Sequence, residues 1–311
     1  MNAKGSLCRA IAEFFLFLQV IRTRLTTHTK DMEETSTTVK PMVLDYEEIC
    51  RMAPFFKGRK KLVDRLFHLL SIDKVNDIHA RNCDTPGVEF TTRLLRDLDI
   101  KLRIDGEELL DQLPKGAFIT VSNHAYGALD GIILINMIAS RRPKFKVMVN
   151  MILNHIGAMR PNFIAVDALA SSDPAKQAVS KHGIREAIMQ VKRGEPLGFF
   201  PAGAVSKLNR HLWLEDRQWQ PSVIRIIKML GVPVVPIFFH GGNSPWFNFL
   251  GLVSWRLRTL RLPAEVFNKK GSTFHISVGD IITPETLAQY DDIDQLGQFL
   301  KQQTYSLRRY K

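Results

Sequence analysis

His124 stands directly after the apolar run "AFITVSN" (117–123), and Asp130 follows six residues later in "NHAYGALDG" (123–131). An imidazole can take a proton from a hydroxyl, and a carboxylate on its other nitrogen can hold the tautomer that keeps the first one free. Gly127 and Gly131 bracket a turn into an apolar helix starting near Leu129. Both groups then sit at the carboxyl end of a strand, where open α/β sheets keep their sites. The same residues allow a quieter reading: a structural histidine beside an aspartate that caps a helix. Spacing cannot decide between them, because such a pair works by geometry.

Two further stretches could carry chemistry. "FFPAGAVSK" (199–207) is a strand running into a glycine-containing turn, where backbone N–H groups with Ser206 and Lys207 could cradle an anion. An ordinary strand-to-loop turn would look the same. "GVPVVPIFFHGGNS" (231–244) ends a third strand at His240. A lone histidine after a core strand is more often a satisfied hydrogen-bonding residue than a catalytic one.

The elements that must position these residues are short apolar runs separated by helical segments. "KVMVN" (146–150), "NFIAV" (162–166), "PLGFF" (196–200) and "VPVVPIFF" (232–239) read, with 117–123, as strands buried on both faces. "IKLRIDG" (100–106) and "TFHISVGDII" (273–282) add strands near the two ends of this region. Helices are expected at 174–193, capped by Asp173 and ended by Gly194, and as one last helix over 285–306. Helical spacing also runs from Asp45 to about Leu70 and through "VEFTTRLLRDL" (88–98). The expectation is an α/β fold, a largely parallel central sheet flanked by helices, with a helical N-terminal part. Its divisions are 1–41, an anchor helix and polar linker; 42–99, helical; and 100–311, the α/β domain.

With 311 residues, 45% of them hydrophobic, the chain can bury one large core. Cys8, Cys50 and Cys83 are scattered and lack metal-ligand spacing, which speaks against a disulfide framework or a zinc site and fits a reducing compartment. The net charge of +12 calls for an anionic partner. Basic residues interleave with large apolar ones in "WFNFLGLVSWRLRTLRL" (246–262), the pattern of a membrane interface rather than of a nucleic-acid arm. Trp246, Phe247 and Trp255 would enter the acyl boundary while Arg256, Arg258 and Arg261 meet anionic lipid phosphates. No stretch is long and apolar enough to span a bilayer, the nearest being "AIAEFFLFLQVI" (10–21).

Taken in order, these blocks resemble the lysophospholipid acyltransferase superfamily, the glycerolipid acyltransferases related to bacterial 1-acylglycerol-3-phosphate acyltransferase. "NHAYGALD" matches the first block, "FPAGAVS" the third and "VPVVPIFF" the fourth, over about residues 100–285. Three departures matter. His124 and Asp130 enclose five residues where the family has four, and Ala202 replaces the glutamate of Phe-Pro-Glu-Gly. The second block's phosphate-holding arginine is absent from "PNFIAVDAL" (161–169), where Val166 and Asp167 stand with Arg160 nearby. The longer loop and the Phe-Pro-Ala-Gly turn look like the branch called hemolysin-like, which includes O-acyltransferases of ornithine and glycine lipid synthesis. That branch name is no sign of a pore-forming toxin.

The resemblance implies an enzyme that moves a fatty acyl group from a thioester to a lipid hydroxyl at the cytoplasmic face of the cell membrane. His124 would be the general base and Asp130 its orienting partner. Asn123, Gly203, Ser206 and Lys207 would bind substrate. Backbone N–H groups near the first or fourth block would meet the oxyanion. No metal or cofactor is implied; acyl carrier protein or coenzyme A brings the acyl group. An aspartate in the second block would repel a phosphate, so a carboxylate-bearing lyso-aminolipid is the expected acceptor, with lysophosphatidic acid the alternative. A lipid hydrolase and a non-catalytic membrane-binding protein compete with this reading. The lack of a Gly-x-Ser-x-Gly elbow counts against a serine hydrolase.

Overall fold

The computed structural model describes residues 39–166 and 174–308. The expected anchor helix over 10–21, the Asp173 cap and Asp167 lie outside the described residues.

Among the described residues, seven strands form one sheet. They are β1 (Lys101–Asp105), β2 (Ile119–Ser122), β3 (Lys146–Asn150), β4 (Phe163–Val166), β5 (Leu197–Phe199), β8 (Val234–Phe239) and β9 (Thr273–Val278), in the order β1-β9-β8-β2-β5-β3-β4. Only β8 and β9 run antiparallel; the other neighbouring pairs are parallel. All residues of β2, β5 and β8 are buried, because helices cover both faces, and this is why these runs are apolar without alternation. A short antiparallel hairpin, β6 (Lys207–Leu208) with β7 (Leu214–Glu215), lies outside the sheet. No sequence signal marked it.

On one face, α4 (Val88–Asp97) and α6 (Ala128–Ala139) bury Phe90, Leu94, Ile133 and Ile138 against the sheet. On the other, α7 (Pro174–Lys192), α8 (Pro221–Leu230) and α13 (Ile293–Ser306) bury Val191, Ile224, Leu296 and Leu300. Residue Ile78 of α3 (Ile72–Asn82) joins the first of these cores, so two N-terminal helices share the sheet's core. By contrast α1 (Tyr46–Met52) and α2 (Lys60–Leu69) close a small core of their own around Ile49, Phe56 and Val63.

Two expected helices come out divided. The helical run from Asp45 to Leu70 is broken between α1 and α2, where Pro54 opens a short 3-10 turn and Gly58 takes φ +75°. The last helix is two helices, α12 (Pro284–Ala288) and α13, because Asp292 accepts from the Gln295 amide at 2.8 Å and starts a new one. The basic-aromatic stretch 246–262, for which no element was expected, is helical. It forms α9 (Pro245–Val253) and α10 (Trp255–Leu260), parted at Ser254, whose backbone is extended, and leads into α11 (Leu262–Asn268).

Candidate active site

Parallel pairing sets Val121 of β2 beside both Phe199 of β5 and Pro236 of β8. The three strands therefore end together, and the segments leaving them meet at one edge. The chain passes from β2 to β3 in one direction and from β5 back across β2 to β8 in the other. Such a reversal opens a crevice at the carboxyl ends of the strands.

His124 leaves β2 into this crevice. Its Nδ1 donates to Asp130 Oδ2 at 3.0 Å, and the same oxygen accepts from the Tyr126 amide at 2.8 Å and the Gly127 amide at 3.0 Å. Asp130 is fully buried in the first turn of α6, while the His124 side chain keeps about a fifth of its surface open (19%). A carboxylate can only accept here, so the proton sits on Nδ1 and Nε2 is the free nitrogen. The Phe200 ring lies against the imidazole with centroids 4.5 Å apart. The arrangement can take a proton from a hydroxyl at Nε2 and hold the imidazolium that results.

The turn between His124 and Asp130 passes through Gly127. Its φ is +90°, and an added Cβ would lie 2.9 Å from Leu262 and 3.4 Å from Val205. Only glycine combines that backbone with such close neighbours. Because the amides of Tyr126 and Gly127 both donate to Asp130, neither is free for an oxyanion.

The other expected site residues divide sharply. Both amide groups of Asn123 are engaged by Phe239: its Nδ2 donates to the carbonyl at 2.9 Å and its Oδ1 accepts from the amide at 2.7 Å. Ser206 is buried and faces His124 through the backbone. Its amide donates to the His124 carbonyl at 2.7 Å, and its hydroxyl lies 2.5 Å from Asp216 Oδ1. Gly203 takes φ +64°, and a Cβ there would collide with the Gln220 amide. Lys207 is exposed on β6 and opens onto a cavity of about 450 Å³ walled by Glu215, Trp219 and Lys301 among others, but not by His124. Arg160 donates to the Asn154 carbonyl at 2.9 Å. His240 is within 2.8 Å of Ser277 Oγ, the arrangement of a satisfied structural histidine.

Two expectations about the interface are corrected. Phe247 is buried at 1% exposure, and Arg258 at 9%. Arg258 donates to the carbonyls of Val205 and Ser206 at 2.9 and 3.2 Å, and its guanidinium lies 5.3 Å from the Phe247 ring centre. Tertiary packing explains both: Arg258 reaches from α10 to the turn at Val205 and Ser206, and its guanidinium lies over Phe247 of α9. Trp246 and Trp255 are exposed, together with Phe249, Leu252 and Val253. Arg261 is partly exposed with Glu265 3.9 Å away, and the side chain of Arg256 lies outside the described residues.

Sequence reasoning missed Asp216. It is buried (4% exposed), and its Oδ1 accepts from the His124 amide at 3.2 Å while Oδ2 accepts from Trp219 Nε1 at 3.1 Å. Burial raises its carboxyl above the ordinary range, against the opposing pull of the Ser206, His124 and Trp219 donors. No local pattern in "WLEDRQW" (213–219) announced that role.

Residues 49–310 match the model of a family described as Acyltransferase. A lyso-glycine lipid O-acyltransferase from Bacteroides thetaiotaomicron is 27% identical over 256 residues, 80% of this chain and 90% of the relative. One of the same name from Phocaeicola vulgatus is 24% identical over 253 residues, 79% and 87% of the two chains. Among solved structures, 1-acyl-sn-glycerophosphate acyltransferase from Thermotoga maritima aligns with 82% of this chain and 99% of its own, at 14% identity and a TM-score of 0.42. With the family model spanning both the helical N-terminal part and the whole sheet, and the histidine-aspartate pair in place, this chain belongs to that acyltransferase family, within the lysophospholipid acyltransferase superfamily.

Proposed function

We propose that the enzyme transfers a fatty acyl group from an acyl thioester to the free hydroxyl of a lyso-lipid, and that this lipid is a lyso-glycine lipid. The observation that carries the chemistry is the fully buried Asp130 holding His124 Nδ1, which leaves Nε2 as the accessible base. In the reaction, Nε2 takes the hydroxyl proton as the lipid oxygen attacks the thioester carbonyl carbon. The C–S bond then breaks, and the imidazolium returns the proton to the departing thiolate. No acyl-enzyme is needed.

The acceptor rests on the two relatives, both named for a lyso-glycine lipid. The donor is an acyl carrier protein or coenzyme A thioester, each acidic and suited to a chain of net charge +12. The exposed Trp246, Phe249, Leu252, Val253 and Trp255 on α9 and α10 give a surface suited to the cytoplasmic face of a membrane, where the acceptor resides. In the assay, purified enzyme receives acyl carrier protein thioester with either lyso-glycine lipid or lysophosphatidic acid. A higher kcat/KM for lyso-glycine lipid is expected. Preference for lysophosphatidic acid overturns the acceptor, and release of free fatty acid without any acceptor overturns transfer in favour of hydrolysis.

A further inference from the structure

His124 is held twice: once at its ring, by Asp130, and once at its peptide. The second hold comes from Ser206, the last residue of the third block, and from Asp216, which lies in no block. The His124 amide donates to Asp216 Oδ1 at 3.2 Å, and the His124 carbonyl accepts from the Ser206 amide at 2.7 Å. Ser206 Oγ closes the ring, 2.5 Å from Asp216 Oδ1 and 3.0 Å from the His124 carbonyl. Its single proton has two acceptors in reach, and the shorter contact is to the carboxylate. Both backbone polar groups of His124 thus end on one serine-aspartate pair, and both of those residues are buried.

That pair is itself anchored from three directions. Trp219 Nε1 donates to the second Asp216 oxygen at 3.1 Å. The Asp216 amide donates to Tyr305 Oη at 2.7 Å, and Lys301 Nζ donates to the Asp216 carbonyl and to Glu215, each at 3.0 Å. Arg258 binds the Val205 and Ser206 carbonyls from α10. Tyr305 and Lys301 belong to the last helix, which packs on the face of the sheet opposite α6. A turn helix-capped only by Gly127 would let the His124 peptide pivot; this network fixes its position before the imidazole torsions begin.

We infer that Asp216, acting with Ser206, is a positioning residue for His124: it sets the peptide from which the base is aimed at the acceptor hydroxyl. The inference rests on His124 being the base. Asp216 reaches His124 at its peptide and not at its ring, so its contribution should appear in turnover rather than in binding. Misplacement of a reacting group by about 1 Å costs on the order of 10²-fold in rate.

The test uses full-length enzyme and measures kcat, KM for the lyso-lipid and the thermal unfolding midpoint. Asp216→Asn preserves shape but puts an amide donor where only an acceptor fits. Its kcat is expected to fall about 10- to 100-fold, with KM changed less than about twofold and an unfolding midpoint that is lowered while the transition stays cooperative. Ser206→Ala keeps the backbone amide and loses the hydroxyl, with an expected fall in kcat of about three- to tenfold; Ser206→Thr restores it. Should Asp216→Asn fail to fold, the Ser206 pair decides the matter alone. Wild-type kcat in both Asp216→Asn and Ser206→Ala overturns the positioning role, as does a rise in KM with kcat unchanged. His124→Ala is run beside them. If it is inactive while the clamp variants are normal, only the clamp fails; if it retains transfer, the base assignment itself has failed.

Discussion

At the scale of single residues, what separates a working base from a decorative histidine is which of its nitrogens is engaged. Asp130 accepts three hydrogen bonds on one buried oxygen and thereby fixes both the turn 126–127 and the imidazole. One oxygen of Asp130 both caps the turn and holds the imidazole, so the capping reading and the catalytic reading call for the same contacts. His124→Ala should lower turnover by about 10²–10⁴-fold while unfolding stays cooperative. Asp130→Asn should cost up to about 10⁴-fold, since an amide in that place favours the wrong tautomer. Transfer assays on both variants, with circular dichroism to check folding, test the assignment; near wild-type rates in His124→Ala would refute it.

At the scale of elements, α3 is tied to the rest of the fold by a histidine that the chemistry does not use. His79 is 1% exposed; its Nδ1 donates to the Pro41 carbonyl at 2.7 Å, and its Nε2 accepts from the Ala158 amide at 3.3 Å. Only the neutral ring can make both bonds. Burial, helped by the charge of Arg160 and opposed by the Pro41 carbonyl, holds its pKa below the usual 6.5. As pH falls below about 6.5, the unfolded chain takes up a proton that the folded chain resists. The stability this histidine confers is therefore present above that pH and is lost as pH falls toward the folded value. Urea unfolding between pH 7.5 and pH 5 should show a steeper loss of stability for wild type than for His79→Gln. Equal slopes would mean that other groups govern acid stability.

At the scale of the whole molecule, the exposed face of α9 and α10 adjoins the turn that holds His124. Trp246 stacks on Phe249 at 5.5 Å, and Leu252, Val253 and Trp255 extend the same apolar surface. Arg258 lies on the inner side of α10 and so joins that surface to the Ser206 turn rather than to lipid phosphates. Among the described residues no helix is long and apolar enough to cross a membrane. Flotation with anionic vesicles should recover the enzyme, and Trp246→Ala with Trp255→Ala together should weaken partition by about tenfold. Added salt should weaken it further if basic residues contribute. Undiminished partition of the double variant would assign membrane contact to another segment.

Local patterns carried a good deal of this protein. Runs buried on both faces are apolar without interruption, so β2, β5 and β8 were legible as short apolar segments, whereas the edge strand β1, KLRID, showed as a mixed polar and apolar run. The resemblance of three ordered blocks to an acyltransferase superfamily was legible too, and so were His124 and Asp130, because they belong to one turn. What sequence left open were relations between segments far apart in the chain. A tryptophan-, phenylalanine- and arginine-rich stretch looks interfacial throughout, yet Phe247 and Arg258 are buried, Arg258 because it bonds the turn at Val205 and Ser206. Asn123 and Ser206 carry groups that could bind substrate, and only the meeting of strand ends engages them with backbone. Asp216 lies 92 residues from the amide it accepts. Periodicity reports the side of an element, and motifs report neighbours along the chain; a hydrogen bond closed across the fold has no trace in either, since its partners share no local spacing.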